Sequence, residues 1–314
     1  VPGIAYRVAR HRAAEGWVSE VRYLLARNAR PAGEADWNAP FTLQQTPREE
    51  PCGGLCGMGE ACVAETDTCG RITRGMCDGD CPQGEACVEG ACQAVAAIPE
   101  APRTYPEGTG LYTSQTRDLE GNPVVAWYDR TRGAMWLSRF VDAGFAEPEM
   151  LAGWGHEDAD RDGDMGTNVD VAVDADGEIH LCYQDGMTDS LRYLAPGLDR
   201  DEWVDDGVRR QAGPREYEVH VVGEDCNMRL DANGDPVLVY QDATSQDILL
   251  ARRDSEGNWI RSTLRGEEAA FEGSFGFYTR AHVDGGKLWV SSYFYDNRRM
   301  PFPQGIDVFS VDLP

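Results

Sequence analysis

The stretch DADGEIHLCYQD, Asp174 to Asp185, recurs along the chain with its polar frame kept and its apolar letters varied. DLEGNPVVAWYD runs from Asp118 to Asp129 and DANGDPVLVYQD from Asp231 to Asp242. A form one residue longer, DGGKLWVSSYFYD, runs from Asp284 to Asp296. In the first three copies Gly stands three residues after the opening Asp, and the closing Asp stands eleven after it. Successive copies start 56, 57 and 53 residues apart, a period that belongs to solenoids and propellers.

Each copy parses in the same way. An alternating strand reaches a D-x-x-G turn, where Gly supplies the positive φ of a tight hairpin. A β-branched and aromatic strand follows and ends in Tyr and Asp. After a polar turn comes a third strand, beginning at Met135, Leu191 and Ile248, and then a fourth headed by Trp203 or Trp259. Four antiparallel strands per repeat make a propeller blade, so the fold class is an all-β β-propeller. A β-sandwich would not need its strands to repeat in sequence. The stretch from Glu20 to Ala29 reads either as one short helix or as a strand running into a loop. Tyr6 to Arg10 and Trp17 superpose on Ile248 to Arg252 and Trp259, so the N-terminus reads as a third and fourth strand. The last repeat stops after a third. Five blades are expected, or six or seven if more sequence precedes this stretch.

The pattern D-x-x-G-x-P-h-h-h-Y-x-D … L-x-Y … W resembles the sialidase-like, BNR-type propeller repeats of secreted bacterial proteins. It covers roughly residues 105–314 and part of the first 25. The resemblance implies the fold. For activity it would require an arginine triad, a Tyr–Glu pair and an Asp acid. The S-x-D-x-G-x-x-W Asp-box is absent; in the nearest segment, Asp254 to Trp259, Gly257 falls three residues after the Asp instead of two.

Eight of the ten cysteines lie between Cys52 and Cys92 in two tandem copies. Cys52, Cys56, Cys62 and Cys69 make the first, and Cys77, Cys81, Cys87 and Cys92 the second, with Gly-Glu-Ala before the third cysteine of each. The stretch resembles Dickkopf-type cysteine-rich repeats. Segments this short need covalent staples, at roughly 2–4 kcal/mol per bridge, to fold at all. Zinc is the competing reading of the C-x3-C pairs, set against by the regular third cysteine and the lack of His. The expected pairing in each copy is first to third and second to fourth. Cys182 and Cys226, on strands of successive repeats, are either bridged or two buried thiols. Disulfides place the chain in an oxidising compartment: extracellular, cell-surface or periplasmic.

The chain carries 29 basic and 54 acidic residues, a formal charge of −25. Such a field disfavours nucleic acid and anionic lipid. No run of eighteen apolar residues provides a membrane span.

Two groups of residues could carry chemistry. Asp158, Asp160, Asp162 and Asp164 surround Gly163 in a D-x-D-x-D-G-D run, which suits a structural Ca2+. The run resembles the calcium loops of EF-hands and integrin-type propellers, departing from them at Gly166 and Val169. The second group lies on the first strands, which line a propeller's channel. Counting back six, four and two from each turn Asp gives the rows Tyr112/Asn168/Asp225/Tyr278, Ser114/Asp170/Asn227/Arg280 and Thr116/Ala172/Arg229/His282. Asp170, Asp225, Asn227, Arg229, Tyr278, Arg280 and His282 are the channel candidates. The strand-end tyrosines and Trp17, Trp203 and Trp259 read as blade packing.

The organisation expected is a partial N-terminal blade over 1–45, linkers with the disulfide-rich insertion over 46–104, and four further blades over 105–314. The function expected is non-catalytic binding of a protein or glycan, within a larger extracellular assembly. The alternative is a secreted sialidase-like or other glycoside hydrolase with its site at the central channel, where Asp170 and Asp225 are the candidate carboxylates of a five-bladed glycosidase.

Overall fold

The computed structural model describes residues 1–12, 16–46, 60–66, 68–73, 77, 81–95, 108–195, 197, 201–210, 217–266, 273–296 and 300–313. The first sheet holds β1 (Gly3–Arg12), β2 (Gly16–Leu25) and β3 (Phe41–Thr46). The cysteine module supplies the hairpins β4 (Glu60–Val63) with β5 (Thr68–Arg71), and β6 (Glu85–Val88) with β7 (Ala91–Ala94). The next sheet runs from β8 (Thr109–Arg117) through β9 (Pro123–Asp129) to β10 (Ala134–Val141), which also pairs β11 (Gly144–Phe145) and β12 (Glu149–Ala152). Two four-stranded sheets follow. One holds β13 (Met165–Val173), β14 (Ile179–Asp185), β15 (Ser190–Leu194) and β16 (Asp201–Asp205). After a small hairpin, β17 (Val208–Arg210) with β18 (Tyr217–Val219), the other holds β19 (Val222–Leu230), β20 (Pro236–Asp242), β21 (Asp247–Arg253) and β22 (Trp259–Arg265). The last sheet has β23 (Ser274–Asp284), β24 (Lys287–Tyr295) and β25 (Gln304–Asp312).

This is the all-β propeller expected from the repeat. Sequential strands pair as antiparallel meanders, and β8, β13, β19 and β23 lie side by side as inner strands. The apolar core is split into layers between successive sheets. Val124, Met135 and Leu137 meet Val171, Leu181 and Tyr183, and the next layer joins Tyr193 and Val204 to Met228 and Leu238. Each buried aliphatic side chain contributes roughly 1.5–3 kcal/mol, so each blade is stabilised chiefly by its neighbours.

The repeat letters have local jobs. The Asp118 carboxylate accepts the amides of Glu120 and Asn122, Asp174 those of Asp176 and Glu178, and Asp231 those of Asn233 and Asp235. Gly121, Gly177 and Gly234 take φ near +85°, the left-handed region. Asp129, Asp185 and Asp242 cap the next turn, each accepting amides two or three residues on.

The N-terminal sheet differs from the superposition in two ways. It has a third strand, β3, and β1 runs against β8: Arg7 lies beside Thr109, and Gly3 beside Gln115. That is the direction of a second strand. The segment from Glu20 is strand as far as Leu25, with Val21 and Tyr23 packed on Val125 and Trp127.

In the module, Cys77 bonds Cys87 and Cys81 bonds Cys92, first to third and second to fourth. Cys62 and Cys69 are also disulfide-bonded; Cys52 and Cys56 lie outside the described residues. Bridges Val63–Val95 and Ile72–Val88 tie the two copies into one unit. Cys182 bonds Cys226, linking β14 to β19 of the next blade. These bridges place the chain in an oxidising extracellular or periplasmic compartment. Among the described residues no helix is long and apolar enough to cross a membrane.

Candidate site at the channel mouth

The inner strands share one distortion. Tyr112, Asn168, Asp225 and Tyr278 take φ between +49° and +55°, and each is preceded two residues earlier by a glycine at positive φ: Gly110, Gly166, Gly223 and Gly276. The ladder to the second strand shifts register across each of these segments. The previous blade presses on these glycines, most closely on Gly166 and Gly276. A Cβ on Gly166 would sit 2.4 Å from Met135 Cβ, and one on Gly276 2.7 Å from Gln241 Cγ. A left-handed Tyr, Asn or Asp costs about 1–2 kcal/mol, so the bulges are maintained against a local penalty.

The bulge breaks the alternation of side chains, and consecutive residues turn to the channel. A cavity of about 390 Å3 forms there. Asp170, Asp225, Asn227, Arg229 and Arg280 all line it, as the residue rows anticipated. Tyr112, Ser114 and Asn168 of the same rows line it too, and Thr113 and Gln115 join them, which strict parity counting passes over. Tyr278 and His282 do not line it: Tyr278 is 76% exposed and His282 is exposed. The visible mark of the bulge was a glycine eight residues before each turn Asp.

One row of the site is also structural. Ser114 Oγ accepts the Val171 amide at 3.4 Å, Asp170 Oδ2 the Met228 amide at 2.8 Å, and Asn227 Oδ1 the Ala281 amide at 2.8 Å. Each residue therefore clips its blade to the next. Asp170 is further held by the Ser114 hydroxyl and by Arg229 at 3.1 Å, and Arg229 donates to the Ala281 carbonyl at 2.7 Å.

Asp225 stands apart from this network. Its carboxylate accepts only the Tyr278 amide, at 2.8 Å, among the contacts of the described residues. Burial pushes its pKa up, against the opposing pull of that amide and of Arg280. Glu224 is raised as well, first by burial and then by the charges of Asp225 and Asp189. The Tyr112 phenol is raised by burial, while its side chain remains 43% exposed.

The acidic run is arranged differently. Asp158 Oδ1 accepts the Asp160 amide at 3.0 Å, and Asp162 Oδ1 the Gly155 amide at 2.8 Å. Asp164 Oδ1 takes the Tyr128 hydroxyl at 2.5 Å. Among the described residues, three potential ligand atoms come within 4.8 Å of one another only at Cys77, Cys81 and Cys92, all in disulfides.

No family model and no curated protein matches the chain. Similar solved structures include an exo-β-1,3-galactanase from Phanerochaete chrysosporium, at 9% identity and TM-score 0.39, covering 65% of this chain and 50% of that one. The α-L-arabinofuranosidase Arb93A from Fusarium graminearum is similar at 10% identity and TM-score 0.40, covering 63% and 62%. The Bacillus subtilis arabinanase Arb43A is similar at 10% identity and TM-score 0.36, covering 66% and 72%. The chain thus spans about half the length of the galactanase.

Proposed function

We propose that the channel mouth binds a glycan without cleaving it. The observation behind this reading is the convergence of Asp225, Asn227, Arg229, Arg280 and the half-exposed Tyr112 on one cavity of about 390 Å3, built on rigid strands. That volume falls within the range of roughly 300–1,000 Å3 that suits small ligands. Carboxylate, amide and guanidinium groups each engage vicinal hydroxyls through two atoms, and a phenol ring offers a flat apolar partner to a sugar face. Calorimetric titration with arabino-, xylo- and galacto-oligosaccharides tests it. Tyr112→Ala and Arg280→Ala should each weaken binding about tenfold with the melting temperature unchanged. Equal affinity in both variants would remove the reading.

One observation favours a second reading, glycoside hydrolysis. Burial holds the Asp225 carboxyl toward its protonated form, as a general acid requires. Asp170 lines the same cavity and would be the second carboxylate. Release of sugar from these oligosaccharides, lost in Asp225→Asn, would establish it.

A further inference from the structure

At the edge of the blades opposite the channel, outer strands β16 and β22 border an open cleft of about 680 Å3. Trp203, Val204, Asp206, Asn258, Trp259 and Arg261 line it. The two tryptophans lie on corresponding outer strands, Trp259 at the start of β22 and Trp203 in the middle of β16, and their surroundings differ. Trp259 packs edge-on against Tyr193 at 5.3 Å and is partly buried. Trp203 is 50% exposed.

Both rings are braced from the protein side. The Arg192 guanidinium lies 4.2 Å from the Trp203 ring centre and is fixed by Asp201 at 2.6 Å, with both charged side chains 3% exposed. Arg253 lies 4.8 Å over Trp259 and is fixed by Glu202 at 2.7 Å, which also accepts the Trp259 Nε1–H at 3.1 Å. A guanidinium on an indole contributes about 0.5–2 kcal/mol and sets the ring's plane. Rings set in advance lose little side-chain entropy when something stacks on them. At the cleft, Asp206 and Arg261 are 54% and 39% exposed in their side chains and 3.9 Å apart.

We propose that this cleft is a second, independent glycan site, taking a neutral saccharide chain that stacks on Trp203. The C–H face of a sugar matches the exposed indole, and Asp206, Asn258 and Arg261 offer planar acceptors and donors to its hydroxyls. Neutral sugar is specified because Asp206 and a formal charge of −25 oppose anionic residues. A proline-rich peptide also stacks on aromatic side chains, but it presents few donors to the Asp206 carboxylate, whereas every sugar hydroxyl can donate to it. The site shares no lining residue with the channel cavity.

The test follows indole N–H resonances of the full chain by NMR during titration with xylohexaose, cellohexaose and decaproline at millimolar concentration. At least one hexasaccharide should move the Trp203 and Trp259 resonances. The affinity read from these two resonances should fall about tenfold in Trp203→Ala, followed at Trp259, about threefold in Asp206→Ala, and stay near wild type in Trp203→Phe. Still resonances with both sugars would overturn the proposal, as would unchanged affinity in Trp203→Ala. A response to decaproline alone would make the cleft a peptide groove instead. Binding lost in Tyr112→Ala but kept in Trp203→Ala would locate it at the channel and overturn the rim site.

Discussion

Asp170 of one inner strand accepts the Met228 amide of the next at 2.8 Å, and the same carboxylate oxygen holds Arg229, next in sequence to Met228, at 3.1 Å. Successive blades repeat the clip with an amide at Asn227 and a hydroxyl at Ser114. The blades are therefore joined at the axis by side chain to backbone hydrogen bonds as well as by the apolar layers between them.

The clips should rank by acceptor. Asp170→Ala strands the buried Met228 amide and releases Arg229, lowering unfolding free energy by about 2–3 kcal/mol. Asn227→Ala should cost about 1–2 kcal/mol, and Ser114→Ala, whose amide contact is 3.4 Å, about 0.5 kcal/mol. Urea unfolding of the three variants checks the order. An Asp170→Ala protein as stable as wild type would show the clip to be incidental.

The inner-strand glycines should separate from the turn glycines. Gly166→Ala forces a Cβ to 2.4 Å from Met135 at φ +105°, which should cost about 3 kcal/mol or more. Gly121→Ala, at φ +85° with nothing within 4 Å, should cost only about 1–2 kcal/mol. Melting temperatures of both variants measure the difference.

What was legible in the sequence was what is decided locally. A D-x-x-G turn works because one Asp binds two nearby amides and one Gly turns left-handed, so Asp174 and Gly177 announce their hairpin. The first-to-third and second-to-fourth pairing of Cys77 to Cys92 likewise spans few residues. Parity counting along the inner strands found Asp170, Asp225 and Arg280, but passed over Thr113 and Gln115 because the bulge at Tyr112 ends the alternation. Trp203 and Trp259 lie on corresponding outer strands but in different registers, Trp203 opposite Arg192 and Trp259 opposite Arg253, and their exposure differs accordingly. The direction of β1 against β8 was hidden because no residue near Tyr6 records which strand it will face.

The Cys182–Cys226 bridge closes a loop of sequence separation 44 between blades, with both cysteines buried. Loop-closure entropy for such a span gives about 4 kcal/mol, of which typical proteins realise about 2–4. The Cys182→Ala/Cys226→Ala double variant should lose that amount in denaturant titrations. In the native protein, thiol reagents should label neither position until a reductant has opened the bridge.

Two carboxylates should give opposite pH signatures. Burial raises the Asp225 pKa, so between its unfolded value, about 4, and its folded one the native state keeps a proton that the unfolded chain has lost. Its contribution to stability therefore declines as pH rises through that interval. Asp225→Asn, which still accepts the Tyr278 amide, should gain on wild type as pH climbs from 4 to 7. Asp205 is the reverse case. Burial alone would raise it, but hydrogen bonds from Arg209 and Tyr240, with the charge of Arg261, carry its pKa below the ordinary value. Its stabilisation is complete above about pH 4 and fades as pH falls through the lowered folded pKa. Asp205→Asn should be destabilised at pH 7 and approach wild type in acid. Urea midpoints of the three proteins from pH 3 to pH 8 give both slopes, and slopes of the same sign would contradict the environments described for these two side chains.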